Sequence, residues 1–304
     1  MRVIKNTKRA GRIRGSVLTL GNFDGLHLGH RKIIGKVTAR AGKLRLPSIV
    51  YTFDPHPMKV LAPEKSPPLI TSPEDKRSLI EAAGVDILVT ANFTKDFAST
   101  HPKTFVKDIL IERLGVREVW IGHDYSFGKG KQGSAGYLKE LGAKLGFFVG
   151  VIAAHKKEGD IVSSSRVRAL IKEGKVGAAG RLLSVPYAIA GRVIKGRDVG
   201  CSLGFPTANI GTKAELIPGP GVYAGYAELN KKTLPAVINI GIAPTFNRGK
   251  TVIECHILDF KGSIYGKDIR VSFRRRLRGE RHFKDTGGLK AQISKDVLRA
   301  RSIL

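Results

Sequence analysis

The sequence LTLGNFDGLHLGHR, residues 18–31, is the segment around which we expect the first half of the chain to be built. An apolar, β-prone run over 17–20 leads into a turn rich in Gly, Asn and Asp. Ile33, Ile34 and Val37 then recur at the spacing of a helix. The pattern predicts a strand, a tight turn and a helix. Because a helix begins with unpaired N–H groups and the positive end of its dipole, this turn is a natural cradle for phosphate.

Two histidines stand at the predicted start of this helix. His27 and His30 are three residues apart, which places both imidazoles on one face of the first turn. Gly25 and Gly29 leave room for a ligand near the backbone. Paired imidazole donors can stabilise charge that builds on a phosphoryl group. The alternative is a pair of surface histidines beside an ordinary turn, but strand, glycines and spacing agree, and we interpret the pair as catalytic.

Length and composition limit the class of protein. The 304 residues are long for one hydrophobic core and sufficient for two domains. No apolar run reaches about 18 residues, so we expect no membrane span. Two cysteines can form neither a disulfide framework nor a metal cluster, and we expect a reducing cytoplasm. The basic N-terminus has no apolar segment before the first strand, so we expect no secretory signal, although it would pass for an Arg-rich organellar presequence.

The net charge of +28 would suit a protein that binds nucleic acid. The excess of Lys and Arg is spread over both halves of the chain, whereas a dedicated nucleic-acid arm would be local. We therefore interpret the charge as a general bias that suits anionic substrates. We do not expect a nucleic-acid partner, and nucleic-acid binding is the rival hypothesis.

Strands alternate with helices through the remainder of the first half. Predicted strands cover 48–53, 85–89, 116–121 and 147–153, and predicted helices cover 73–84, 103–114 and 137–145. This alternation predicts a parallel, doubly wound, Rossmann-like sheet, whose ligands lie beyond the carboxyl ends of the strands.

Two loops at that edge carry polar side chains. Asp124 follows the fourth strand, and Ser163 and Ser164 open a helix that carries Arg168 one turn further on. Serine hydroxyls, free amides and an arginine suit a triphosphate. A serine N-cap followed by solvated arginines would account for the second loop equally well.

The pattern changes near Leu182. Short β-rich runs cover 188–193, 221–228, 234–240, 251–258 and 269–273. Their spacing predicts a small antiparallel barrel, closed by a terminal helix. One stripe of that helix is apolar and consists of Leu289, Ile293, Val297, Ala300 and Leu304. We place two domains at 1–182 and 183–304.

A glycine-rich segment, GRDVGCSLGFPTAN at 196–209, stands out in the second domain. Its glycines allow backbone amides to approach phosphates, and Thr207 and Asn209 offer oxygen ligands for a hard cation. Composition alone would fit an ordinary loop. In the strand at 251–258, alternation places Glu254 opposite an apolar face, which is also the position of a solvated glutamate.

Taken together, these segments resemble the bacterial bifunctional riboflavin kinase/FMN adenylyltransferase (FAD synthetase) family. GNFDG followed by HxGH is similar to the nucleotidyltransferase signature, and SSSRVR to the family pattern ISSTxIR. IGHDYSFG is similar to VGxDFxFG, with departures at Tyr125 and Ser126. LGFPTAN and IECHILDF resemble riboflavin kinase signatures, with departures at Cys201 and Ala243. No KMSKS-like sequence supports a class I aminoacyl-tRNA synthetase, and no Walker A sequence supports a P-loop kinase.

The resemblance implies that 183–304 phosphorylates riboflavin and that 1–182 adenylylates the resulting FMN to FAD, each step with ATP and Mg²⁺. It implies four catalytic residues: His27, His30 and Arg168 for adenylyl transfer, and Glu254 as the base that takes a proton from the riboflavin hydroxyl. The expected ATP- or flavin-binding residues of the first domain are Gly21, Asn22, Phe23, Asp24, Gly29, Asp124, Ser163 and Ser164. Those of the second are Gly196, Gly200, Gly204, Phe205, Pro206, Thr207 and Asn209, with Thr207 and Asn209 as metal ligands.

Overall fold

Six parallel strands form the sheet at the centre of the first half of the chain. The computed structural model describes residues 1–5, 12–195, 203–242 and 251–304, and its contacts separate into two units, Met1–Ser164 and Ser165–Leu304. The strands of the first unit, in chain order, are β1 (Arg2–Lys5), β2 (Ser16–Leu20), β3 (Ser48–Asp54), β4 (Ile87–Asn92), β5 (Val116–Gly122), β6 (Ser126–Phe127), β7 (Gly133–Ser134), β8 (Phe148–Ile152), β9 (Lys156–Lys157) and β10 (Asp160–Ile161).

The large sheet has the order β1-β4-β3-β2-β5-β8, and every neighbouring pair is parallel. From β2 the chain moves outward through β3 and β4 on one side, then returns to continue through β5 and β8 on the other. The direction changes between β2 and β5, which is where ligands of open α/β sheets bind. The predicted parallel, Rossmann-like sheet is confirmed.

Helices and short helical turns connect these strands. They are α1 (Leu28–Leu44), α2 (Pro57–Leu61), α3 (Pro73–Ala82), α4 (Lys95–Ala98), α5 (Pro102–Thr104) with its π-helical continuation Phe105–Arg113, and α6 (Ala135–Leu145), with 3₁₀ turns at Pro63–Lys65 and Lys129–Lys131. As expected, Ser72 caps α3, where its Oγ accepts a hydrogen bond from the Asp75 N–H at 3.0 Å. The third predicted strand begins two residues later than expected, because Val85 packs into the core before strand pairing starts.

A closed antiparallel barrel forms most of the second unit. Its strands are β11 (Tyr187–Ile194), β12 (Ala208–Thr212), β13 (Gly221–Leu229), β14 (Lys232–Ile242), β15 (Thr251–Ile257) and β16 (Asp268–Arg278), closed in the order β11-β12-β15-β14-β13-β16. The predicted barrel is confirmed, with one strand more than expected. That strand, β12, contains the end of the glycine-rich segment, whose composition resembles a loop.

Three helices accompany the barrel: α7 (Ser164–Lys172), α8 (Val176–Leu183) and α9 (Thr286–Arg301). Ala300 of α9 is buried against Val222 and Leu277 on the outside of the barrel, as the apolar stripe predicts. The helix α8 packs against β16, so the contacts assign it to the barrel unit, whereas the predicted domain boundary follows residue 182. No helix in the described ranges is long and apolar enough to cross a membrane.

Candidate active sites

The turn after β2 is held in an uncommon backbone conformation by its apolar side chains. Phe23 and Leu26 adopt φ values of 48° and 42°, which are rare for residues other than glycine. Both side chains are buried in the core beside Ile34 and Val50. A Cβ at Gly21 would lie 3.0 Å from the Phe23 ring, so a larger residue there would have to displace that ring slightly. A ligand at this turn would therefore meet the backbone of Phe23 and not its ring.

Asp24 ties this turn to the segment that precedes α3. Its buried carboxylate accepts hydrogen bonds from the Ile70 N–H at 3.0 Å, the Thr71 N–H at 3.1 Å and the Thr71 hydroxyl at 3.2 Å. Its backbone carbonyl accepts a hydrogen bond from Ser164 Oγ at 3.0 Å. Three segments that are distant in sequence therefore meet at this residue. The carboxylate therefore organises the turn, and its binding of ATP or flavin stays a prediction.

His27 is the N-cap of α1, and His30 lies in its first turn. His27 Nδ1 accepts a hydrogen bond from the His30 backbone N–H at 3.3 Å. A neutral His27 consequently carries its proton on Nε2, the nitrogen that remains available to donate to a ligand. The two rings are stacked with centroids 3.7 Å apart, so the predicted pairing of the imidazoles is confirmed. Gly29 accommodates this stack, since a Cβ there would lie 3.1 Å from the His27 ring.

Electrostatics keep His30 neutral. Burial, the adjacent His27 and the ammonium of Lys76 lower the pKa of His30 well below its ordinary value. Its Nδ1 is buried and makes no hydrogen bond within the described part of the chain. An anion in the site would therefore meet a neutral imidazole at His30 and not an imidazolium cation.

Lys76 is a residue of this site that the sequence patterns did not identify. Burial lowers the pKa of its half-buried ammonium, while the carboxylates of Asp24 and Asp54 favour the charged form. Lys76 lies one helical turn before the fully buried Ile80 on α3, so helical periodicity places it on the inward face. That spacing is the signal by which it could have been found.

Aromatic rings line the carboxyl ends of β3 and β4. We call them the aromatic cluster, in which neighbouring ring centroids are 5.4 to 6.0 Å apart; its members are Tyr51, Phe53, Phe93, Phe97, Phe105, Tyr125 and Phe127. Phe53 and Phe97 are half-buried and offer apolar surface to a flat ligand. Burial and the nearby Tyr51 raise the pKa of Tyr125, which therefore stays protonated.

Four other predicted residues of the first site follow strands of the first unit: Asn22, Asp124, Ser163 and Ser164. Asn22 accepts a hydrogen bond from Thr52 Oγ1 at 3.1 Å through its backbone carbonyl. Asp124 follows β5 with a side chain that is 83% exposed. Ser163 and Ser164 open α7, and the Ser164 hydroxyl joins them to the Asp24 turn. Arg168 lies in the second turn of α7 and is half-buried; its part in catalysis stays a prediction.

Glu254 occupies the centre of a polar row on the outer face of the barrel. In the register of the sheet it stands between Asn209 of β12 and Asn239 of β14. Asn239 Nδ2 donates a hydrogen bond to Glu254 Oε2 at 3.1 Å. The neighbouring Cys255 faces inward, and burial raises the pKa of its thiol to about 12, so it is a core residue. The predicted alternation of β15 is confirmed.

The segment that leads into β12 supplies the other candidate groups of the second site. Phe205 is half-buried and packs edge-on against His256, with ring centroids 5.6 Å apart. The Pro206 carbonyl lies 2.8 Å from His256 Nδ1. Gly204 has a φ of 87°, a conformation that favours glycine. Gly196 and Gly200 lie outside the described residues.

The oxygen donors near Glu254 fit a magnesium ion. The described ranges contain no group of three or more His, Cys, Asp or Glu side chains that could hold a metal. Thr207 and Asn209 instead present a hydroxyl and an amide oxygen, which are hard ligands. Mg²⁺ usually takes few protein ligands and completes its shell with waters and the phosphates of its substrate.

Comparisons with known proteins match each half of the chain to a family. The FAD synthetase family model matches residues 10–166, and the riboflavin kinase model matches residues 183–304. The bifunctional riboflavin kinase/FMN adenylyltransferase of Escherichia coli K12 is 36% identical over 302 residues, which is 99% of this chain and 96% of the relative. The protein of the same name from Bacillus subtilis is 38% identical over 292 residues, covering 94% and 91%.

A solved structure has the same fold along the whole chain. It is the crystal structure of a Streptococcus pneumoniae protein named as a macrolide-efflux protein. The two chains are 29% identical, the TM-score is 0.91, and each is covered to 99%. Two family models in series, together with relatives similar over nearly their full length, show that this chain belongs to the bifunctional riboflavin kinase/FMN adenylyltransferase family, enzymes that convert riboflavin to FMN and FMN to FAD.

Proposed function

We propose that this chain makes FMN on the barrel face around Glu254 and FAD at the turn around His27. The observation that carries the proposal is the presence of two separate clusters of polar side chains. In one, a carboxylate is hydrogen-bonded by Asn239 and flanked by Asn209. In the other, stacked histidines stand at the start of a helix that follows a central strand. The first arrangement suits proton removal from an alcohol, and the second suits charge on a phosphate.

In the kinase reaction, Glu254 accepts the proton of a riboflavin hydroxyl. The hydroxyl oxygen forms a bond to the γ-phosphorus of ATP, the bond to the β-phosphate oxygen breaks, and ADP leaves. Asn239 holds one carboxylate oxygen through its hydrogen bond at 3.1 Å, which leaves the other oxygen for the substrate. Thr207 and Asn209 would hold a magnesium ion together with the ATP phosphates. When bound, that ion neutralises charge on the phosphate oxygens.

Adenylyl transfer needs no base, because the phosphate of FMN is already ionised at neutral pH. An oxygen of that phosphate bonds to the α-phosphorus of ATP, and pyrophosphate leaves. The free N–H groups at the start of α1 and the Nε2–H of His27 donate to the oxygens on which charge develops. Lys76 and Arg168 add positive charge. The half-buried Phe53 and Phe97 of the aromatic cluster provide a surface for the flavin ring.

The experiment is a time course of purified protein with riboflavin, ATP and Mg²⁺, with the flavins separated by chromatography. FMN should appear first and FAD should follow, with ADP from the first step and pyrophosphate from the second. Glu254→Gln should lower the rate of FMN formation by ~100-fold or more and leave the rate of adenylylation of supplied FMN unchanged. The double variant His27→Ala, His30→Ala should do the reverse. If either variant lost both activities equally, or neither, the assignment of two separate sites would be wrong.

The same preparation tests the rival hypothesis. A nucleic-acid-binding protein on this fold would convert no flavin and would bind DNA or RNA with an affinity that falls steeply as salt rises through ~50 to 200 mM. Riboflavin, FMN and ATP as substrates account for the polar residues of both sites, so neither site needs a nucleic-acid ligand. A cytoplasmic location stays part of the proposal, and fractionation of the source cells would test it.

A further inference from the structure

The ladder between β12 and β15, at the kinase site, is the shortest in the described part of the barrel. It consists of two pairs, Ala208 with Cys255 and Asn209 with Glu254. If pairing continued by one residue, Thr207 would stand opposite His256. The backbone ladder therefore ends at the residue that we assign to magnesium and ATP. Another interaction has to orient the chain at that position.

His256 provides that interaction. It lies two residues after Glu254 on β15, so both side chains project from the outer face of the barrel. Its Nδ1 is 2.8 Å from the carbonyl oxygen of Pro206, a residue 50 positions away in sequence. Because a carbonyl only accepts, Nδ1 must donate, which defines the position of the ring proton. The edge-on contact with Phe205 supports the ring from the side.

The consequence for Thr207 follows from the planarity of the peptide bond. The Pro206 carbonyl and the Thr207 N–H belong to one rigid unit, so holding the oxygen also sets the direction in which Thr207 enters β12. We propose that His256 is a positioning residue of the riboflavin kinase site, which anchors the Pro206 carbonyl and thereby places Thr207 and Asn209. This inference rests on the proposed role of those two residues as ligands for magnesium and ATP.

Asparagine and glutamine in place of His256 distinguish the loss of the hydrogen bond to Pro206 from the loss of side-chain volume. The amide nitrogen of asparagine can occupy the place of Nδ1, whereas the longer glutamine places its amide near the position of Nε2. We therefore compare His256→Asn, His256→Gln and His256→Ala. For each variant, the initial rate of riboflavin phosphorylation is measured against ATP and against magnesium, and FMN adenylylation in the same sample reports that the first unit is intact.

His256→Ala should raise the KM for ATP roughly fivefold to tenfold and leave kcat within about twofold, as expected when one hydrogen bond that serves binding is lost. His256→Gln should behave like the alanine variant, and His256→Asn should return the KM to within about twofold of the parent. The magnesium concentration that gives the half-maximal rate of riboflavin phosphorylation should also rise in His256→Ala and His256→Gln.

Two results would overturn the inference. One is an alanine variant with the parent's KM for ATP and magnesium, and the other is an asparagine variant as impaired as the glutamine variant. Failure of the proposed function looks different, because the parent itself would then phosphorylate no riboflavin, or Thr207→Ala and Asn209→Ala would leave the response to magnesium unchanged.

Discussion

Replacing Asp24 by alanine should destabilise the first unit strongly, because one buried carboxylate serves three donors. These are the Ile70 N–H, the Thr71 N–H and the Thr71 hydroxyl, at 3.0 to 3.2 Å. Hydrogen bonds to a charged group contribute about 1.5–3 kcal/mol each, and bonds that share one acceptor are not additive. We expect a loss of about 3–5 kcal/mol in the free energy of unfolding, which is a large part of the stability of an ordinary domain. Asp24→Asn keeps an acceptor oxygen and should lose about half as much.

The chain offers a direct probe of this unit. Its single tryptophan, Trp120, lies in β5, so tryptophan fluorescence during urea unfolding reports the first unit alone. With a slope of about 2 kcal/mol per molar urea, the midpoint should fall by about 2 M in Asp24→Ala. FAD formation should decline with it, and riboflavin phosphorylation should persist.

The matched control is Asp108→Ala, at an exposed position of the π-helical segment. Its free energy of unfolding should stay within about 0.5 kcal/mol of the parent. A loss below about 1 kcal/mol in Asp24→Ala would refute the reasoning, since the three donors would then find other partners and the turn would not depend on this carboxylate.

Three further predictions concern other parts of the fold. The lowered pKa of His30 means that, below its ordinary value of about 6.5, the unfolded chain takes up a proton that the folded chain does not, so stability should fall as the pH falls from about 6.5. Urea unfolding between about pH 5 and 8 checks this, and a His30→Gln profile as steep as the parent's would contradict it. A fragment of residues 184–304 should fold and phosphorylate riboflavin. A fragment of residues 165–304 should melt at a higher temperature, because it contains α8, in which Val176 and Leu182 are buried. Equal melting temperatures would show that α8 does not stabilise the barrel. Asp296→Ala should cost the second unit about 3–5 kcal/mol, since it removes the carboxylate that pairs with Arg278, whose side chain is 13% exposed. Circular dichroism during heating measures the loss, and an unchanged melting temperature would show that the ion pair does not stabilise the unit.

Some features of the candidate sites could be predicted because they depend on neighbours in sequence. The stacked pair of His27 and His30 follows from their spacing at the start of a helix. The outward direction of Glu254 follows from the alternation of a strand. The segment 196–209 has the composition of an ordinary loop and is singled out by its resemblance to a family signature, yet Asn209 belongs to β12. Its pairing with β15 is a contact between distant segments, which no local pattern encodes.

Other features required the folded chain. The structure buries the Phe23 ring in the core and commits the Asp24 carboxylate to hydrogen bonds with the segment before α3. The binding of ATP or flavin by these two residues stays a prediction. The inward position of Lys76 and its effect on His30 depend on how α3 packs against the sheet.

Periodicity and short signatures are local properties, and from them the sequence predicts the two fold classes, their order along the chain and the family. Tertiary structure alone decided what each polar group does. Asn239 becomes the partner of Glu254 only when β14 pairs with β15, and His256 meets Pro206 only when β12 and β15 join. The physical reason is the same in both cases: a hydrogen bond or a pKa depends on which atoms lie within a few ångströms, and packing brings those atoms together from distant parts of the chain.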